Sequence, residues 1–187
     1  MSQETLGTAA AIGTFIVIAA TAIAALIQLR HMRSSNQIVA LTECRETLES
    51  REFVAARRFV ARELPELLKN LDTWTRLGTV TLDEDLQPVL TVANFFEYMG
   101  SFVKHSIIDR EIACDFWSGV VVSSWAQLAS VVAHLRLTSG MNGLFENFEY
   151  MAVMSEDWMA RNRGSSYPKH LRRMKIDPPP TRRTRSE

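Results

Sequence analysis

Residues 6–29, LGTAAAIGTFIVIAATAIAALIQL, carry no charged side chain and are followed at once by Arg30, His31 and Arg33. As a helix this run is about 36 Å long at 1.5 Å per residue. The hydrocarbon core of a bilayer is roughly 30 Å thick, so the run reads as one tilted transmembrane helix. A cleaved signal peptide would want positive charge ahead of the apolar stretch, and only Glu4 precedes it. Ala22-Ile23-Ala24 has the form of a cleavage site but lies inside the run. The expectation is therefore a retained anchor over residues 1–30.

Orientation follows from the cations. Arg30 and Arg33 flank the C-terminal end and no Lys or Arg flanks the other. The positive-inside rule then places the rest of the chain on the cytoplasmic side of the inner membrane. Ala9, Gly13, Ala20 and Ala24 share one helical face, and small residues so spaced let two membrane helices approach closely. A homodimer through this face is one expected partner arrangement, beside contact with the bilayer itself.

The 187 residues leave room for one further domain. Charges balance overall at 21 of each sign, yet not locally. The body is mildly acidic, whereas Lys169, Arg172, Arg173, Lys175, Arg182, Arg183 and Arg185 make the tail basic. Cys44 and Cys114 show no metal-ligand spacing and sit within helical patterns. One disulfide is arithmetically possible, but two buried thiols in a reducing compartment suit the pattern better.

Helical periodicity organises residues 35–163. Residues 37–64 hold no Gly or Pro, and Ile38, Leu41, Leu48, Ala55, Ala56, Phe59 and Val60 follow helical spacing. Pro65 should end or kink that helix, with a short turn over residues 66–71. Thr81 and Glu84 have the form of a capping box. After them Leu82, Leu86, Val89, Ala93, Phe96, Gly100 and Val103 form the cleanest amphipathic stripe, ending near His105. Asp109 should cap the next helix, whose apolar face runs through Ile112, Phe116, Trp117, Val121, Ser124, Trp125, Leu128, Val131, Val132 and Leu135, with a bend or close contact at Gly119. Residues 137–140 read as a turn and residues 142–161 as a last helix with Phe145, Phe148, Ala152, Ser155 and Met159 inward. Residues 164–187, with Pro178-Pro179-Pro180, are too polar and proline-rich to fold alone. The expected fold is all-α: one N-terminal transmembrane helix, an antiparallel four- to five-helix bundle and a basic disordered tail.

The runs Val92-Ala93-Asn94-Phe95-Phe96-Glu97-Tyr98-Met99-Gly100, Ile107-Ile108-Asp109, Asp115-Phe116-Trp117 and Trp125 resemble the DUF4760 family over roughly residues 35–160. The resemblance implies a bacterial protein with one N-terminal membrane helix and a helical domain. It brings no activity with it.

The residues themselves offer little chemistry. His31, His105, His134 and His170 lack a second ligand at i+3 or i+4, so neither a metal nor another cofactor is expected. Ser123-Ser124 and Ser165-Ser166 have no base at a useful spacing, and the glycines form no phosphate-binding loop. Asn94 and Glu97 flank the amphipathic stripe, which leaves two readings for Glu97: an acid for ligand binding or proton transfer, or a structural group satisfying Trp125 or backbone near Gly119. The polar cluster Asn94, Glu97 and Trp125 is thus the candidate site of an enzyme or small-ligand binder, with no catalytic residue assigned. The basic tail, with Arg30 and Arg33, suits anionic lipid better than nucleic acid, because Tyr167 is its one aromatic residue, and a solvated tail that meets neither is the equal alternative. The leading expectation is a membrane-anchored scaffold, sensor or regulatory module with an unidentified protein partner.

Overall fold

The computed structural model describes residues 3–78, 83–162, 167, 168 and 170–175, apart from the side chains of residues 3–6, 8–11, 33 and 34. Every regular element among them is helical.

Helix α1, Gln3–Glu49, runs unbroken from the apolar N-terminal stretch into the amphipathic one. The helix expected to begin at residue 37 is therefore the continuation of the membrane candidate. Ile12, Phe15, Ile16, Val17, Ile18, Ile23, Leu26, Ile27 and Leu29 all stand exposed. Farther along, Ala40 and Cys44 are buried in the core, and Leu41 and Leu48 pack against it.

The helix does not continue to residue 64 as its composition predicts. Ser50 adopts an extended conformation, and its hydroxyl accepts from the Phe53 N–H to open α2, Arg51–Arg62. That hydroxyl replaces an intrahelical partner and lets the chain turn. A single turn follows at Leu64–Leu67 (α3), with Pro65 in its first turn where no amide donor is needed. Asn70 then caps α4, Leu71–Leu77, a helix over a stretch to which the sequence pattern assigns no element. Trp74 anchors it: its indole donates to the Leu68 carbonyl at 2.8 Å, and its own carbonyl lies 2.7 Å from His134 Nε2.

Thr81 lies outside the described residues, and Glu84 opens a 3-10 turn, Glu84–Leu86, that follows the extended Asp83. Arg76 closes this corner by reaching Asp83 at 2.6 Å and Asp85 at 2.5 Å. The bonds to Asp85 and then Asp83 raise the guanidinium pKa, and the Arg76 bond lowers that of Asp85.

Helix α5, Gln87–Lys104, ends at His105 and buries Val89, Ala93, Phe96, Gly100 and Val103, the expected stripe. Helix α6, Arg110–Ser139, starts where Asp109 accepts from the Glu111 and Ile112 amides. It passes through Gly119 without interruption, and no atom lies within 4 Å of a Cβ built there. Its inward face is Ala113, Cys114, Trp117, Ser118, Val121, Ser124, Leu128, Val131 and Val132. Phe116, expected inward, is 68% exposed; one residue before Trp117, it is rotated about 100° off the buried line. Gly140 ends α6 at φ +70°, the left-handed geometry that glycine adopts without a Cβ penalty.

Helix α7, Glu146–Asn162, begins four residues later than its hydrophobic pattern suggests and packs extensively on α5 and α6. An aromatic ladder runs through the core and links α2, α5, α6 and α7. Phe53 meets Phe95 and Phe96, Phe96 stacks on Phe148 at 5.0 Å, and Trp125 meets Phe148 edge-on at 5.0 Å. In the tail, the Tyr167 hydroxyl donates to the Arg172 carbonyl, and the Arg173 guanidinium lies 4.9 Å from the Tyr167 ring centre.

Candidate functional site

The Glu97 carboxylate accepts three hydrogen bonds from another helix. Glu97, Gly100 and Lys104 lie three and four residues apart on α5, so they share one face. That face meets the start of α7. Glu97 Oε2 accepts from the Asn147 and Phe148 amides at 3.0 Å each, and Oε1 accepts from Asn147 Nδ2 at 2.7 Å. The first amides of a helix have no partner within it, and the dipole there favours an anion. Glu97 thus caps α7 from a different helix, 50 residues away in sequence.

The rest of the seam follows from that cap. A Cβ on Gly100 would stand 2.1 Å from the Asn147 carbonyl oxygen, so only glycine permits this approach. Lys104 reaches Glu146 at 3.1 Å and Asn147 Oδ1 at 3.2 Å. Phe145, just before α7, has φ +57°. For a bulky residue this geometry costs on the order of 1–3 kcal/mol. The same backbone turn buries the Phe145 ring and aims the α7 amides at Glu97. Further ties hold α7 to α6, among them Arg136 contacting Glu149 at 2.7 Å and the Trp158 indole donating to Glu111 at 2.9 Å.

The expected cluster is divided. Asn94 is exposed and lines a groove of about 400 Å³ between α1 and α5, with Cys44, Phe95, Tyr98, Met99 and Phe102. Glu97 faces α7, and Trp125 contributes its ring edge to Phe148. The partners of Glu97 are the α7 amides rather than the Trp125 indole or the backbone at Gly119. No sequence motif announces that pairing.

Two surface clefts that sequence reasoning missed adjoin at Arg110 and Tyr150. The larger, about 410 Å³, is lined by Glu146, Glu149, Asp157 and Arg161 as well; the smaller, about 300 Å³, adds Gln37, Lys104, Ser106 and Asp109. Arg110 donates to the Tyr150 hydroxyl at 2.9 Å, a bond that raises the guanidinium pKa. Their linings mix both signs of charge. Among the described residues, no three His, Cys, Asp or Glu side chains converge as a metal site would require.

Both cysteines are buried and unpaired. Burial, with Glu43 adding to it, pushes the Cys44 thiol up to about 11. Burial, then Glu111, also raises that of Cys114. Such thiols stay protonated and unreactive near neutrality.

On α1, Gly13, Ala20 and Ala24 are exposed, with nothing within 4 Å of a Cβ built on Gly13, while the Ala9 side chain lies outside the described residues. Arg30, Arg172, Arg173 and Lys175 are exposed; Lys169, Arg182, Arg183, Arg185 and the Arg33 side chain also lie outside the description.

No curated protein and no solved structure matches this chain. A family model described as a domain of unknown function matches residues 15–158. The match begins inside the apolar stretch, about 20 residues earlier than the resemblance read from the helical domain, so much of α1 falls within the matched region. This chain, helical in every regular element of its described residues and with an N-terminal helix long and apolar enough to cross a membrane, belongs to the DUF4760 family.

Proposed function

We propose that the protein is a single-pass membrane protein whose helices after α1 form an antiparallel bundle at the cytoplasmic face, working through protein contacts as a scaffold, sensor or regulatory partner. One observation carries this reading. A single helix presents an apolar half whose large side chains from Ile12 to Leu29 stand exposed and, without a break, a second half whose Ala40 and Cys44 are built into the domain core. A continuous helix couples the anchor to the domain more stiffly than a flexible linker. Arg30 and Arg33, at the end of the apolar run, support the cytoplasmic orientation. The basic tail would reinforce the placement by meeting anionic lipid, at on the order of 1 kcal/mol per cation near the surface.

A reporter fused to the C-terminus tests the orientation. Activity from a cytoplasm-dependent reporter is expected, and activity only from a periplasm-dependent one would overturn it. Pairing of membrane helices through Ala9, Gly13, Ala20 and Ala24 is part of the proposal. Gly13→Ile should weaken self-association in a membrane two-hybrid assay, and an unchanged signal would remove that part.

The role of Glu97 is proposed as positional. Its carboxylate has three donors on α7, which supports holding that helix rather than transferring a proton to a ligand.

A further inference from the structure

Beyond the membrane stretch, α1 and α6 enclose an apolar groove of about 240 Å³ lined by Ile38, Leu41, Thr42, Arg45, Phe116 and Trp117. Its rim is unusual for a surface facing water. Ile38 is 61% exposed and Phe116 68% exposed, on two different helices that both line the groove. Large apolar side chains scattered singly need no explanation, but a concave pair flanking a groove marks a contact surface.

The geometry of α1 narrows the occupant. Ile38 follows Ala20, and Thr42 follows Ala24, by 18 residues, about five whole turns of an α-helix. Arg45 follows Ala20 by 25 residues, about seven turns. Since α1 is unbroken, the groove opens on the same side of the helix as Gly13, Ala20 and Ala24. Lipid is a poor candidate to cover it. Ile38 stands nine residues past Leu29, about 13–14 Å along the axis. The polar layer of a bilayer adds only about 5–8 Å on each side of the hydrocarbon. A second copy anchored in the same membrane, by contrast, runs parallel to the first and reaches the same height. Close approach of two such helices on this side brings the two grooves together face to face.

We infer that this groove is the extramembrane half of a parallel homodimer interface, in which α1 of each copy packs against the Ile38–Thr42–Arg45 face of the other and Phe116 closes the edge. The inference rests on the membrane-spanning reading of α1 and extends its pairing beyond the bilayer. It makes the interface one continuous seam from the membrane into the helical domain.

Oxidative cross-linking of the full-length chain in native membranes tests it. Wild-type protein, whose two thiols are buried, is the blank. Thr42→Cys should form a disulfide dimer, and Thr47→Cys, exposed on the opposite side of α1, should give at least tenfold less. Phe116→Asp, at an exposed position that leaves the core intact, should lower the Thr42→Cys dimer several-fold. Gly13→Cys separates this inference from the reading beneath it. A dimer at position 13 without one at position 42 overturns the groove as an interface while the membrane pairing stands. No dimer at either position overturns both. Equal cross-linking at positions 42 and 47, or a Thr42→Cys adduct of a mass other than twice the chain, also overturns the proposal.

Discussion

Among the described residues two helices, α1 and α6, are long and apolar enough to cross a membrane, and what covers them tells them apart. None of the apolar window of α1 is buried, whereas 39% of that of α6 is. In α6 the bare stretch between Asp115 and Arg136 holds Ser118, Ser123, Ser124, Gln127 and Ser130, and its Val121, Leu128 and Val131 are sealed by neighbouring helices. In α1 the stretch before Arg30 has alanine and β-branched residues all round and no facing helix. An apolar stripe is solved by packing, while an apolar cylinder needs an apolar solvent. The comparison teaches that hydropathy alone identifies a demand for burial, and the pattern around the helix says who meets it.

The sharpest way to break the comparison is to put a charge into each helix. Leu128→Arg in α6 should abolish the cooperative unfolding transition in detergent, since a buried unpaired charge costs several kcal/mol. Ile16→Arg in α1 should leave that transition intact, because Ile16 contacts no core. The smaller change Leu128→Ala should cost about 2–5 kcal/mol, measured by urea denaturation of the full chain in micelles. If Leu128→Arg unfolded normally, α6 would not be the core helix described.

Next in size is the seam that holds α7. Glu97→Ala leaves two backbone amides and Asn147 Nδ2 without their acceptor. Charge-assisted hydrogen bonds contribute about 1.5–3 kcal/mol, and a loss of that order is expected in the same denaturation experiment. A loss below 0.5 kcal/mol, on the order of an ordinary surface change, would mean that α7 is positioned by packing alone.

A smaller effect comes from Cys44. Its thiol titrates near 11 in the fold against an ordinary 9.0, so the neutral form is favoured by folding. That contribution is complete below about pH 9 and is lost as pH rises through 11, because the unfolded chain releases its proton first. Wild type should therefore lose more stability than Cys44→Ala between pH 9 and 11. Parallel profiles would show that Cys44 is not desolvated. Smallest of all, Phe116→Ala should change stability by less than about 0.5 kcal/mol, as expected of an exposed position outside the core.

Much of this fold can be read along the chain where the signals are local. The α5 stripe of Val89, Ala93, Phe96, Gly100 and Val103, the Asp109 cap and the stop at His105 all rest on neighbours within a few residues. The break at Ser50 escapes such a reading, since Arg51 and Glu52 are good helix formers and only the Ser50 hydroxyl marks the turn. Helix α4 escapes because seven residues give too little periodicity, although Asn70 is a legible cap. The late start of α7 is not legible at all. The left-handed Phe145 and the amides it frees are held by a carboxylate on another helix, and no local pattern encodes that partner. The clefts at Arg110 and Tyr150 have the same origin, since these residues stand 40 positions apart.

The central claim is that α1 needs lipid on its N-terminal half. Alkaline carbonate extraction of membranes, followed by intact-mass measurement of the retained chain, tests it most directly. The full chain should stay in the membrane pellet with residues 1–29 attached, and deletion of residues 6–29 should release a folded helical domain into the supernatant. A wild-type chain found in the supernatant, or one shortened past residue 24, would contradict the account.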